Sequence, residues 1–194
     1  MINNKQTINV VLVDSNDTPI GEMEKLEAHE KGLLHRAFSV LFIRKNINNN
    51  YEVLLQQRAL GKYHCGGLWS NTCCSHPRID ESILQATKRR IPEELGLDSK
   101  ILEQINFQSI GTFIYKADLD HNLIEHEFDH VILGFMPENP NFNDNDILNN
   151  INPNEIAEVK WVELKSSIKD VEQDPSHYTP WLEKVLNLTL EFID

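Results

Sequence analysis

Between its loops this chain shows a mixed pattern of hydrophobic and polar positions, with short runs that read as strands and a few stretches of helical spacing. Thr7–Val13 reads as a strand, and Asp14–Pro19 carries turn chemistry leading into Ile20 and Gly21. Ala37–Arg44 and Tyr51–Arg58 read as a hairpin joined by the Asn-rich turn 46–50. Phe107–Ala117 and Glu125–Met136 form a second strand pair around the turn-prone segment 118–122. Glu155–Glu163 is a further strand. The period lengthens in Ser82–Leu95, where Leu84, Ile91 and Leu95 share a helical stripe, Asp80 is placed to cap the start, and Gly96 sits where a helix stops. Pro180–Phe192 reads as a closing helix, and the Asn-rich stretch 139–154 as a loop. Strands with a few interspersed helices predict an α/β (α+β) domain with a mixed sheet. The 194 residues suit a single domain, 1–194, with a flexible N-terminus at 1–6.

Charge narrows the partners. The net charge of −12 argues against nucleic acid, whose phosphate backbone needs a basic surface. A small anion remains compatible if the fold gathers a local basic pocket. No apolar run approaches the roughly 18 residues of a membrane span, and Met1–Thr7 lacks the character of a signal peptide. A soluble, cytoplasmic protein is expected, as monomer or homodimer. Three cysteines, Cys65, Cys73 and Cys74, do not make a disulfide framework and read as reduced thiols.

Five groups of residues could carry chemistry. His29 and His35 are possible metal ligands, although their spacing is equally that of ordinary polar residues. Cys73, Cys74 and His76 lie close together; a thiol near an imidazole suits proton transfer, nucleophilic attack or a metal site, and two adjacent thiols cannot both face it. Glu125 and Glu127 project from one face of a strand, where they repel unless a cation lies between them or one is protonated. Tyr115, in the preceding strand, could reach the same face. Arg89 and Arg90 precede Glu93 and Glu94 by four residues, the less favourable order for helical ion pairs, and Pro92 removes a donor nearby. Lys25, Arg58, Lys62 and Arg90 matter only if the fold gathers them.

Together these segments resemble the type I isopentenyl-diphosphate isomerases. The resemblance is carried by Asn71-Thr72-Cys73-Cys74-Ser75-His76-Pro77, by His35–Val40, by Leu54–Arg58, by Glu125-His126-Glu127 and by Thr179-Pro180-Trp181. It spans Val10 to Trp181 and implies a Nudix-type mixed sheet sandwiched between helices. A degenerate Nudix box is visible: Ser75 stands in place of the first Gly, and Arg90 replaces the first Glu of the core Arg89–Gly96. That loss argues against the alternative of a Nudix diphosphate hydrolase. A metal- or diphosphate-binding regulator on the same fold is the alternative outside catalysis. The resemblance implies Cys74 and Glu127 as the proton-transfer pair, Tyr115 beside Glu127, and Trp181 offering its ring to a developing carbocation. It implies Lys25, Arg58, Lys62 and Arg90 around a diphosphate substrate. It further implies His29, His35, His76, Glu125 and Glu127 around one cation, Mn²⁺ or Zn²⁺ (or Mg²⁺), and a diphosphate-bridging Mg²⁺ in contact with Glu94.

Overall fold

The computed structural model describes residues 8–137, 147 and 150–194. The expected flexible N-terminus and most of the Asn-rich loop 139–154 therefore lie outside the described residues. The sheet is organised around β3 (His35–Lys45), whose near-continuous burial marks a strand covered on both faces. One edge of β3 pairs in parallel with β8 (Ile124–Phe135), which pairs antiparallel with β7 (Asn106–Asp118). Along its other edge lie β6 (Cys73–Ser75) and β4 (Tyr51–Arg58), both antiparallel. β4 continues the sheet to β9 (Ile156–Glu163) and to the short β5 (Trp69–Ser70). β1 (Asn9–Val13) meets β3 at Leu12 and His35, and β2 (Pro19–Glu24) forms a hairpin with β1.

Strand alternation divides the core in two. Phe38, Val40, Phe42, Leu54 and Ile132 face α2 (Ile83–Leu95) and α3 (Ser99–Leu102). Leu41, Ile43, Val53, Leu55, Val131 and Leu133 face α4 (Leu164–Gln173) and α5 (Leu182–Ile193). Helices on both faces of a mixed sheet match the predicted class.

Several local expectations are corrected. Helix α2 starts as a capping box between Ser82 and Gln85 instead of at Asp80, because Ser82 reaches the Gln85 N–H while Gln85 returns to the Ser82 N–H. Leu84 is exposed, and the buried stripe is Ala86, Thr87, Ile91 and Leu95. Gly96 closes the helix at φ 64°, where an added Cβ would collide with the Asn150 carbonyl oxygen at 2.0 Å. The turn expected at 14–19 ends earlier, since Pro19 already belongs to β2. Helix α1 (Lys25–Lys31) was not predicted, because its seven residues carry no apolar stripe; Glu24 caps it and Gly32 ends it at φ 60°. Helix α4 was also unassigned, although its buried Leu164, Ser167, Ile168 and Val171 show the i, i+3, i+4, i+7 spacing.

Candidate active site

Three imidazoles and a carboxylate meet at the end of the sheet where β3 begins. His29 comes from α1, His35 opens β3, His76 follows β6, and Glu127 lies beside His35 in the β3–β8 register. One ligand atom from each falls within 4.8 Å of all the others. His35 Nε2 lies 3.2 Å from His76 Nε2, and His76 Nε2 lies 2.8 Å from Glu127 Oε1. Glu125, two residues earlier on the same face of β8, places Oε2 3.3 Å from His29 Nε2.

The backbone decides what these rings present. His29 Nδ1 is 2.6 Å from the Lys25 carbonyl oxygen, and His35 Nδ1 is 2.8 Å from that of Leu33. A carbonyl only accepts, so each Nδ1 carries the proton and each Nε2 turns a lone pair inward. This is the support that orients ligating histidines in metal proteins. His29 Nε2 and Glu125 Oε2 are buried and have no hydrogen-bond partner, although they lie side by side. Buried lone pairs that converge without a proton between them repel, and a divalent cation relieves that repulsion. The donor set therefore fits a cation held by His29, His35, His76, Glu125 and Glu127.

The rings differ electrostatically: burial opposes charge on His35, but the neighbouring Glu127 raises its pKa. Burial presses His76 down to about 3 and keeps it neutral, with Lys25 adding to the effect. Burial opposes charge on Glu127, yet the imidazoles of His35 and His76 beside it hold its carboxyl well below the usual range. Burial and the neighbouring Glu127 push Glu125 up. The two carboxylates thus share a face as expected, and one resists ionisation beside the other.

A pocket opens over this cluster, and the four dispersed cations line it: Lys25, Arg58, Lys62 and Arg90. Burial lowers the Lys25 pKa, and Lys62 and Arg58 add to that against the pull of Glu125. Lys62 pairs with Glu155. Arg90 reaches Glu93 at 2.6 Å, Glu94 at 2.5 Å and Glu155 at 3.4 Å. A guanidinium thus sits among three carboxylates, at the box position where a hydrolase carries one more. Glu94 is buried between Arg90 and Gln56, apart from the histidine cluster.

Cys74 lines the same pocket and accepts a contact from Arg58 Nη1 at 3.5 Å. Burial raises its thiol to about 11, so it holds its proton at neutral pH. Cys73 points the other way, fully buried among the apolar residues that face α2. The orientation of β6 is set by its neighbours. Asn71 Nδ2 donates to the carbonyls of Val40 and Cys73, and the Thr72 hydroxyl donates to that of Leu54 while accepting from the Phe42 N–H. Tyr115, opposite Glu127 in the β7–β8 register, donates to Glu127 Oε2 at 2.6 Å. Trp181 also lines the pocket; its Nε1 donates to Asn71 Oδ1 at 2.9 Å, and its ring centroid is 5.9 Å from that of Tyr115.

Residues beyond the expected set also enter. His64, Tyr63 and Glu155 stand in or beside the pocket. His64 joins His29 and Glu125 in a second convergent group. Nothing in local spacing marks His64, because the loop that carries it has no periodic pattern.

The NUDIX domain family matches residues 33–182, a span that takes in β3 to β9 and the degenerate box. DR0079 from Deinococcus radiodurans shares the fold at a TM-score of 0.67 and 13% identity, over 96% of this chain and 99% of that one. A C. elegans Ap4A hydrolase shares it at 0.55 and 20% identity, over 81% and 96%. At such identities the likeness speaks for the fold alone. Isopentenyl-diphosphate Delta-isomerase 2 of Photorhabdus laumondii is 42% identical over 178 residues, covering 92% of this chain and 90% of that protein. The isopentenyl-diphosphate Delta-isomerase of Aliivibrio fischeri strain MJ11 is 42% identical over 181 residues, covering 93% and 94%. The chain belongs to the isopentenyl-diphosphate Delta-isomerase family within the Nudix superfamily.

Proposed function

We propose that this protein converts isopentenyl diphosphate to dimethylallyl diphosphate, a step of isoprenoid biosynthesis, through Cys74 and Glu127. The carrying observation is their placement: they face one pocket from β6 and β8, the strands on either side of β3, with four cations around them. The reaction adds a proton to the terminal alkene carbon and removes one from the carbon next to the diphosphate ester. One of the two residues gives that proton and the other takes the second. With its pKa raised by burial to about 11, the Cys74 thiol holds a proton to give at neutral pH, and it becomes an acceptor only as the thiolate left after that transfer. The Tyr115 hydroxyl, bonded to Glu127 Oε2, orients that carboxyl and exchanges a proton with it. The indole of Trp181 faces the charge that develops on the substrate; Arg58 Cζ already lies 5.7 Å from its centroid.

Lys25, Arg58, Lys62 and Arg90 bind the diphosphate. His29, His35, His76, Glu125 and Glu127 hold Mn²⁺ or Zn²⁺, for which an imidazole-rich set is suited. When bound, that cation supplies positive charge that keeps both carboxylates in place. A Mg²⁺ bridging the diphosphate would take Glu94 as its protein contact. Among the described residues no helix is long and apolar enough to cross a membrane, and three free cysteines suit the reducing cytoplasm.

Incubation with isopentenyl diphosphate in D₂O tests the reading. Deuterium should appear in dimethylallyl diphosphate and in recovered substrate. A chelator should stop exchange, and Mn²⁺ or Mg²⁺ should restore it. Phosphate release without exchange would instead assign a diphosphate hydrolase.

A further inference from the structure

His64 sits on the loop between β4 and β5, yet it is only 6% exposed. The loop is held inward by its own backbone. Arg58 N–H donates to the Leu68 carbonyl, Gly67 N–H donates back to that of Arg58, and Arg58 Nη2 donates to the His64 carbonyl at 3.3 Å. Cys65 takes φ 51°, a left-handed conformation that a non-glycine residue adopts only when its surroundings require it. A Cβ at Gly66 would stand 2.8 Å from the Leu60 carbonyl oxygen, so the turn accepts no side chain there without shifting. This turn delivers an imidazole to the edge of the cation site, beside Glu125.

His64 Nε2 lies 3.2 Å from Glu125 Oε1, while the other carboxylate oxygen, Oε2, lies 3.3 Å from His29 Nε2. His29 and His64 stack at 5.7 Å between centroids, so the two rings flank the carboxylate from the same side. Donors about 2.1 Å from one ion in an octahedral arrangement stand ~3 Å apart, and both separations match that spacing. His29 belongs to both convergent groups in the site, and its single Nε2 can serve only one ion. His29 is the residue the two groups share, and through it His64 and Glu125 border the first group.

We propose that His64 is a further ligand of the divalent cation, entering beside His29 and Glu125 and adding a fourth imidazole to the donor set. The inference rests on the cation site of the proposed function and extends it by one residue. His29 and His35 each have a carbonyl to hold Nδ1, whereas His64 Nδ1 is buried without a partner. His64 is therefore held less firmly than His29 and His35, and its loss is less damaging than loss of His35. A fourth nitrogen also tilts the site toward Zn²⁺, Co²⁺ and Mn²⁺ and away from Mg²⁺.

Co²⁺ titration of the full chain tests this, because visible d–d bands report the number and kind of donors independently of turnover. Wild type, His64→Ala and His64→Gln are compared by affinity and spectrum, with thermal melting as the control for folding. Both variants should bind Co²⁺ about 10–100-fold more weakly and share one altered spectrum. Unchanged affinity and spectrum in either variant would overturn the proposal. So would recovery in His64→Gln alone, which would make His64 a hydrogen-bond donor to Glu125. If alanine unfolds the loop, the glutamine variant, closer in volume, carries the decision. Absence of Co²⁺ binding in the wild type would remove the cation site itself, an outcome distinct from a bound ion indifferent to His64.

Discussion

Cys73 and Cys74 are adjacent in sequence and belong to different worlds. Cys73 is buried beside Ile91 and Leu95 of α2, in a layer where the strands contribute Phe38, Val40, Phe42 and Leu54. Cys74 faces the opposite side of the sheet, in a pocket with Arg58, His76, Glu125 and Glu127. That second face is itself divided: Leu41, Ile43, Val131 and Leu133 pack against α4 and α5, while His35, Ser39, Glu127 and Asp129 occupy the other end. The contrast teaches that period-two alternation lets one sheet hold an apolar core and a buried charged site a strand's thickness apart. It also shows the different demands of the two sides. Apolar burial stabilises without direction, but each buried polar group needs a partner in a definite place. Ser39 donating to Asp129 at 2.7 Å and Tyr115 donating to Glu127 are such partners.

The sharpest way to break this comparison is to truncate both thiols. Cys74→Ala should lower kcat by about 10²–10⁴-fold, the contribution of a positioned acid or base, with melting temperature and metal content near wild type. Cys73→Ala should leave kcat within a few-fold. Steady-state kinetics on the pair decide it, and a dead Cys73 variant would reverse the assignment of faces.

Trp181 sharpens the boundary between packing and chemistry, since it is buried and also lines the pocket. Trp181→Phe should lower kcat and kcat/KM together by about tenfold, the scale of a cation–π contact, and Trp181→Ala by more. A raised KM with unchanged kcat would leave it only an anchor for α5 through its bond to Asn71.

Cys73→Ala should register instead as stability, a loss of about 1 kcal/mol in urea denaturation, typical of a small cavity in a packed layer. The smallest effect belongs to the rim of that apolar side, where Arg89 holds Glu81 through two bonds of 2.7 and 2.8 Å. Those bonds outweigh burial and place the Glu81 pKa below its ordinary 4.5. The folded form is the stronger acid, so the contribution is full above pH 4.5 and fades as pH falls through the lower folded value. Glu81→Gln should therefore cost less than about 1 kcal/mol at neutral pH, with the difference vanishing in acid. A gap that widened on acidification would contradict the sign.

Much of the framework was legible because strands and α2 repeat their pattern over many residues. The hairpin 37–58, the β7–β8 pair and Gly96 as a helix stop all follow from periodicity and φ preferences. Helix α1 was not legible: seven residues with only Ala28 and His29 buried carry too little pattern. Strands β5 and β6 span two and three residues, shorter than any period can reveal. Asn71 and Thr72 read as loop residues, and only their bonds to Val40, Leu54 and Phe42 show them clamping β6.

By itself the sequence determined the strand faces, hence the shared side of Glu125 and Glu127, and through its motifs the family and the residues to watch. Alternation is a local property of an extended chain and needs no partner to be read. Tertiary structure alone decided which cysteine meets the pocket and how four distant cations come to line it. It alone turned the Nε2 lone pairs of His29 and His35 inward, through carbonyls of Lys25 and Leu33, and it alone brought His64 to Glu125. These depend on distances between segments far apart in the chain, which strand pairing and helix caps set and no run of neighbouring residues records.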